Sequence, residues 1–203
     1  MMKSVLSDQL ECFADIYSKD VELVCMTHSQ SSYMDSLGKE ILSAREDIEL
    51  QWIQSLDDLR IVDELLPMSV ESEGRKMLAN QIKESCCMLQ ENLNCKYVGM
   101  RLLTLNKPMC PRFHVDQIPC RLLITISGGG TEWIPNEDVD WEVFEDTTNQ
   151  DVPLKEKKKV KQFKAGEWSL LKGGTWQSQF KGVVHRSPNI NEDRLMLSLD
   201  PIF

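Results

Sequence analysis

Two of the three histidines in this sequence lie in stretches that could supply metal ligands. In CPRFHVDQIP, His114 and Asp116 are two residues apart, so an extended strand would point both side chains to one face. His185 follows the β-branched pair Val183 and Val184, which favours another strand. Two imidazoles and one carboxylate form the facial triad that holds non-haem iron(II) and leaves coordination positions open. The sequence therefore predicts a metal site of His114, Asp116 and His185.

A second candidate group lies on the last predicted strand, RLMLSLDP. Its alternation places Arg194, Met196 and Ser198 on one face and three leucines on the other. An arginine in a partly buried pocket can pair with both oxygens of a carboxylate, which a lysine would do less well. The alternative interpretation is a surface ion pair between Arg194 and the neighbouring Glu192 or Asp193.

Other residues near the histidines leave alternatives open. If the metal were zinc, Cys110 or Cys120 could supply a soft fourth ligand and close the coordination shell. Arg112 and Arg121 flank the His-x-Asp stretch and could meet an acidic substrate or cosubstrate, or balance nearby carboxylates. The plainest alternative is that the two histidines are ordinary polar residues at strand ends.

Composition bounds the class of protein. The chain has 203 residues, of which 41% are hydrophobic and 27% charged, as in ordinary globular proteins. It contains no apolar run of membrane-spanning length. A net charge of -9 disfavours nucleic-acid binding, which needs clustered cations. The basic run KEKKKVK, residues 155–161, is interpreted as a solvated loop or strand edge, with a patch for an anionic partner as the alternative.

The cysteines and the N-terminus indicate the compartment. Seven cysteines without Cys-x-x-Cys spacing favour reduced thiols over a disulfide framework. The N-terminal residues do not have the pattern of a secretory signal. We therefore expect a cytoplasmic protein.

The character of the sequence changes near residue 95. Residues 1–94 have mainly helical spacing, with one helix predicted over DSLGKEILSAREDIELQWIQ and a second over SVESEGRKMLANQIKESCCMLQENL, capped near Ser69. Residues 95–203 contain short β-rich runs separated by glycine and proline, with a long polar excursion at residues 135–162. This pattern predicts one compact α+β domain: a double-stranded β-helix, or jelly roll, with the helical segment packed on one sheet. The leucine face of the last strand would contact those helices.

The order of these motifs resembles a known superfamily. HVD, a polar insertion, GEWSLLKGG, GVVHRSP and RLMLSLDP together resemble the double-stranded β-helix of iron(II) and 2-oxoglutarate-dependent oxygenases. The resemblance covers about the last hundred residues and implies iron bound by His114, Asp116 and His185. It also implies that Arg194, assisted by Ser198, binds the far carboxylate of 2-oxoglutarate. Many members carry a hydroxyl two residues after the arginine, where this sequence has Met196.

A narrower resemblance is carried by CPRFHVDQIPCRLL followed by GGGTEWIP. These segments resemble a bacterial family of unknown function, DUF1826, which is associated with zinc-homeostasis genes. Two functions follow as alternatives: a hydroxylase-type oxygenase of unidentified substrate, or a cupin-like protein that binds zinc without catalysis and in which Arg194 is structural.

Overall fold

The structure is a computed structural model that describes residues 2–27, 32–44, 47–59, 72–176, 181–188 and 192–203. Its strands are β1 Lys3–Ser7, β2 Val21–Met26, β3 Glu49–Ser55, β4 Tyr97–Leu105, β5 Cys120–Ser127, β6 Glu132–Ile134, β7 Lys161–Gln162, β8 Trp168–Lys172, β9 Val184–Arg186 and β10 Arg194–Ile202. Its helices are α1 Ser32–Ser43, α2 Ser72–Leu93 and α3 Trp141–Glu145, with 3-10 helices at Leu10–Tyr17 and Asn136–Asp138.

The strands form two sheets. The large sheet has the order β1-β2-β8-β5-β10-β4-β3, and the small sheet has the order β7-β6-β9. Every strand pair is antiparallel except β1 with β2. A short bridge between His114 and His185 extends the small sheet beyond β9. This arrangement confirms the predicted α+β fold with a double-stranded β-helix, in which two sheets enclose a shared interior.

Helices cover the outer face of the large sheet. The three leucines of β10 pack in one core with Leu78, Ile82 and Leu89 of α2 and with α1 residues. The helical spacing of those α2 residues puts them on one stripe, and fully burying each contributes about 1.5–3 kcal/mol. The prediction that the leucine face contacts helices is confirmed. The second predicted helix is found from Ser72 onward, whereas its predicted cap near Ser69 lies outside the described residues.

The first predicted helix is wrong over its second half. The helix α1 ends at Ser43, and residues 49–55 form β3, which pairs with β4 along its whole length. Trp52 has helical spacing to the preceding apolar residues, but it also alternates with exposed Gln51 and Ile53, as in a strand. Hydrogen bonding to β4 stabilises the strand conformation over the helical one. Two further strands, β1 and β2, were missed, so residues 1–94 contribute three strands as well as helices to the fold.

The basic run at residues 155–161 is a connection on the protein surface. Most of residues 155–160 are exposed, and they lead into the small-sheet strand β7. Lys158 forms an ion pair with Asp138 at 2.8 Å. None of the described helices is long and apolar enough to cross a membrane.

Candidate metal centre

The two histidines are brought together by the backbone. His114 and His185 exchange both of their peptide hydrogen bonds, each with an N···O distance of 2.9 Å. In an antiparallel bridge of this kind the two residues lie directly opposite each other, with their side chains on the same face. The ring centroids are 4.5 Å apart, with an angle of 49° between the planes. Two segments that are far apart in sequence therefore present their imidazoles side by side.

Each imidazole is held in place through its Nδ1 atom. His114 Nδ1 lies 3.0 Å from the carbonyl oxygen of Arg112, and His185 Nδ1 lies 3.0 Å from that of Val183. A carbonyl oxygen can only accept a hydrogen bond, so each Nδ1 must carry the proton. In the neutral ring this leaves the Nε2 lone pair free. Backbone carbonyls thus select the tautomer in which both Nε2 atoms can bind a metal.

Asp116 completes the group. Its Oδ1 lies 3.7 Å from His114 Nε2, and its Oδ2 lies 3.4 Å from His185 Nε2. One donor atom from each of the three residues lies within 4.8 Å of the others. Among the residues that the structure describes, this is the only such cluster of three or more histidine, cysteine or carboxylate side chains. The structure therefore brings together the three residues that the sequence singled out.

The electrostatics of the cluster favour an ionised carboxylate. Burial alone would raise the pKa of Asp116, but the two imidazoles and the Arg121 guanidinium hold it well below its usual range. Burial likewise opposes protonation of His114, yet the nearby Asp116 carboxylate and the hydrogen bond to the Arg112 carbonyl raise its pKa. Because metal ligation uses neutral imidazole, a divalent cation that binds the carboxylate and the two Nε2 atoms must displace any proton on those nitrogens.

A chain of arginines and aspartates surrounds Asp116. Arg121 Nη1 donates to Asp116 Oδ2 at 2.8 Å, while its Nε and Nη2 donate to Asp200 at 2.6 and 2.8 Å. Arg101 donates to the same Asp200 at 2.8 Å. Of the two interpretations of Arg121, the balancing of carboxylates is the one observed. Arg112, by contrast, donates to the backbone carbonyls of residues 146 and 147.

Arg194 is a buried cation that pairs with no carboxylate of the described residues. Only 3% of the residue is exposed, and its Nε and Nη1 have no hydrogen-bond partner among the described residues. Its Nη2 lies 3.7 Å from the Met196 sulfur, a weak acceptor. Burial lowers the pKa of Arg194 to about 10. The alternative of a surface ion pair with Glu192 or Asp193 is therefore wrong.

Ser198 shares this condition. Its Oγ is buried and has no hydrogen-bond partner in the part of the chain that the structure describes. It lies on the same face of β10 as Arg194 and lines one pocket with both histidines, Arg121 and Met196. Buried polar groups are nearly always hydrogen-bonded in native proteins, so these two groups on one strand face are available to a polar ligand or a bound water.

The cysteines do not join the donor cluster. Cys120 is fully buried in the core beneath the helices, on the opposite face of β5 from Arg121, and burial raises the pKa of its thiol to about 12. Cys110 is exposed and lines the pocket, but its sulfur lies outside the group of close donors. The hypothesis that Cys120 supplies a fourth ligand is therefore wrong.

Two glycines lock the loop that carries Asp116. The Gly174 amide donates to the Asp116 carbonyl at 2.8 Å, and the Gly173 amide donates to that of Pro119 at 2.7 Å. A Cβ atom on Gly173 would lie 2.0 Å from the Ile118 carbonyl oxygen, a distance that forces backbone movement. This glycine pair thus positions the loop of a candidate ligand.

We expect Gly173→Ala to destabilise the protein by on the order of 3 kcal/mol, because the added methyl group must displace the Asp116 loop. Urea denaturation at equilibrium measures this loss. Gly99→Ala is the matched control, because a Cβ there meets Asp200 only at an ordinary 3.8 Å. Equal stability of the two variants would contradict the tight packing seen at Gly173.

Comparison with solved structures places the fold. Dioxygenase for auxin oxidation 1 from Arabidopsis thaliana, solved with 2-oxoglutarate, is similar with a TM-score of 0.58 and 10% identity, over 100% of this chain and 92% of that one. The dioxygenase for auxin oxidation of rice has a TM-score of 0.55 and 11% identity, over 100% and 83%. A Pseudomonas putida prolyl-4-hydroxylase has a TM-score of 0.50 and 12% identity, over 95% and 97%. At these identities the likeness shows a common fold.

Comparison with sequences gives the family. No curated protein sequence is significantly similar to this chain. The model of a family described as "Protein of unknown function (DUF1826)" matches residues 7–200, which include His114, Asp116, His185, Arg194 and Ser198. The chain therefore belongs to the DUF1826 family and has the double-stranded β-helix fold of the iron and 2-oxoglutarate-dependent oxygenases.

Proposed function

We propose that this protein is an iron(II) and 2-oxoglutarate-dependent oxygenase of the hydroxylase type. The observation that carries the proposal is the buried guanidinium of Arg194, whose Nε and Nη1 have no partner among the described residues, on the interior face of a strand whose Ser198 shares a pocket with His114 and His185. A cation in that condition fits a carboxylate that arrives as a ligand. The fold shared with the 2-oxoglutarate complex of the Arabidopsis dioxygenase supports the same assignment.

The metal and the cosubstrate would be bound by different residues. His114 and His185 would offer their Nε2 atoms and Asp116 a carboxylate oxygen to iron, which supplies the redox chemistry that activates dioxygen when it is bound. Arg194 would hold the far carboxylate of 2-oxoglutarate through Nε and Nη1, the two nitrogens that lack partners. Three protein ligands would leave iron with open positions for a chelating keto acid and one further ligand.

Ser198 could replace a hydroxyl that many oxygenases of this superfamily carry at a different position. The hydroxyl two residues after the arginine is replaced here by Met196, which packs in the interior of the β-helix. Ser198 lies two residues further along the same face and has a free hydroxyl. We assign to Ser198 a hydrogen bond to 2-oxoglutarate.

The alternative is a cupin-like metal-binding protein without turnover. Under that function Arg194 is structural, and its guanidinium would stay buried with no carboxylate in the described structure to balance it. An unpaired buried charge is costly to folding, and a binding protein has no evident use for it. The observed geometry therefore favours the oxygenase.

Anaerobic titration of the iron(II)-loaded protein with 2-oxoglutarate tests the proposal. Bidentate chelation by the keto acid is expected to produce a weak visible metal-to-ligand charge-transfer band. Glutarate, which has both carboxylates but no keto group, is the matched control and should give no band. If the protein binds metal tightly but shows no band at saturating 2-oxoglutarate, the oxygenase assignment is wrong and the metal-binding alternative remains.

We also propose a cytoplasmic location. All seven cysteines lie within the described residues and all are free thiols, five of them buried. Reduced cysteines are typical of proteins in reducing compartments, which supports this location. Mapping the oxidation state of the thiols in the protein extracted from its cell with an alkylating reagent tests it, since formation of disulfides in the native protein would contradict it.

A further inference from the structure

Arg121 makes a contact that the proposed function does not use. It lies on the interior face of β5, where its guanidinium bridges the candidate ligand Asp116 and the aspartate Asp200 of β10. All three of its nitrogens are engaged with the two carboxylates. Burial disfavours its cation, but Asp200 and Asp116 outweigh that effect and raise the pKa of Arg121. The guanidinium is therefore a permanently charged part of the site.

The position of the Arg121 guanidinium is fixed by Asp200, on the side away from Asp116. Asp200 accepts two hydrogen bonds from Arg121, at 2.6 and 2.8 Å, in the parallel fork geometry that gives arginine its directional strength. Arg101 holds the same carboxylate at 2.8 Å from the next strand. Arg121 Nη1 is thus aimed at Asp116 by the fork that its own Nε and Nη2 make with Asp200, which joins β5 to β10.

We infer that Arg121 is a positioning residue that makes Asp116 a ligand through one oxygen. Its Nη1 engages Oδ2 at 2.8 Å, which leaves Oδ1, 3.7 Å from His114 Nε2, as the oxygen that no arginine of the described residues holds. A carboxylate released from this contact could turn both oxygens onto the metal and fill a fourth position. One open position fewer would hinder keto-acid chelation. This inference rests on the proposed function for its cosubstrate, although the coordination change concerns the metal alone.

Two opposing effects set the expected result for Arg121→Gln. Loss of the hydrogen bond to Asp116 loosens the ligand, whereas loss of a positive charge beside the site favours a bound cation. We therefore expect metal affinity to change by less than about 10-fold, while 2-oxoglutarate binds the iron(II)-loaded variant about 10–100-fold more weakly, the range typical of outer-shell changes. Charge-transfer titration measures the second constant and competition with a chelating dye the first.

Arg101→Gln is the matched control. It removes a guanidinium from the same Asp200 but leaves the contact between Arg121 and Asp116 in place. We expect wild-type coordination of the metal in this variant. Arg121→Lys keeps the charge but cannot hold both carboxylates in a fork, so it should change 2-oxoglutarate binding in the same direction as Arg121→Gln, by less. Thermal unfolding of each metal-free variant establishes that it is folded.

A metal-only measurement separates failure of this inference from failure of the proposed function. Water-proton relaxation of the manganese(II)-loaded protein counts the bound waters, and we expect one water fewer in Arg121→Gln than in wild type and in Arg101→Gln. If wild type binds no 2-oxoglutarate but this difference is found, the proposed function fails and the role of Arg121 stands. Equal water counts in folded Arg121→Gln and Arg101→Gln would overturn the role of Arg121.

Discussion

Replacing Arg194 with methionine is expected to stabilise the metal-free protein and, in the same variant, to abolish binding of 2-oxoglutarate. Arg194 is 3% exposed, and two of its three nitrogens have no partner among the described residues. Each buried unsatisfied polar group costs about 1–3 kcal/mol, and charged groups cost more. An apolar side chain of similar length removes that cost, so we expect a gain of about 1–3 kcal/mol in the free energy of unfolding.

The loss of cosubstrate binding follows from the same guanidinium. Truncating one partner of a buried charge pair costs about 2–5 kcal/mol, which corresponds to roughly 30-fold or more in the 2-oxoglutarate dissociation constant. Metal affinity should be retained, because Arg194 does not belong to the His114–Asp116–His185 cluster. Chemical denaturation of the metal-free protein and anaerobic charge-transfer titration measure the two effects.

Two control variants test whether the effects of Arg194→Met on stability and on 2-oxoglutarate binding are specific to Arg194. Arg186→Met removes an arginine that is paired with Glu132 at 2.7 Å, so it should lower stability where Arg194→Met raises it. Arg112→Met removes an exposed arginine bonded to backbone carbonyls, so it should leave 2-oxoglutarate binding unchanged. A loss of stability in Arg194→Met would mean that the arginine is structural, as the metal-binding alternative requires.

The metal cluster could be predicted because the spacing and the immediate neighbours of its residues in the sequence indicate where the side chains point. The spacing of His114 and Asp116 fixes their common direction on any extended segment, and the β-branched residues before His185 indicate a strand. The alternation of β10 likewise assigned Arg194 and Ser198 to the face away from the helices. These inferences needed only the period of the backbone, which strand pairing then preserved.

The surroundings of the cluster could not be predicted in this way. Asp200 reaches Arg121 because β10 and β5 are neighbours in the sheet, and Arg101 joins them from β4 on the other side of β10. Nothing in the sequence near any of these residues encodes that register. Strand β3 was misread for the same kind of reason, since its pairing with β4 outweighed an apolar spacing that also fits a helix.

The largest effect on metal binding is expected from Asp116→Asn. The neutral amide is a weak ligand and removes the one negative charge between the two Nε2 atoms, which lie 3.7 and 3.4 Å from the carboxylate oxygens. We expect the affinity for iron(II) or cobalt(II) to fall by more than about 100-fold, beyond the 10–100-fold usual for residues that only support a ligand. Competition with a chelating dye measures the constant.

Asp200→Asn is the matched control, because Asp200 is also a partly buried carboxylate bonded to Arg121. It belongs to no cluster of donors with the histidines, so the same chemical change should lower metal affinity by less than about 10-fold. The contrast between the two asparagine variants separates ligation from general electrostatics, since each removes one negative charge next to the same arginine. Equal losses in both would mean that the net charge of the pocket, and not a bond from Asp116, holds the metal.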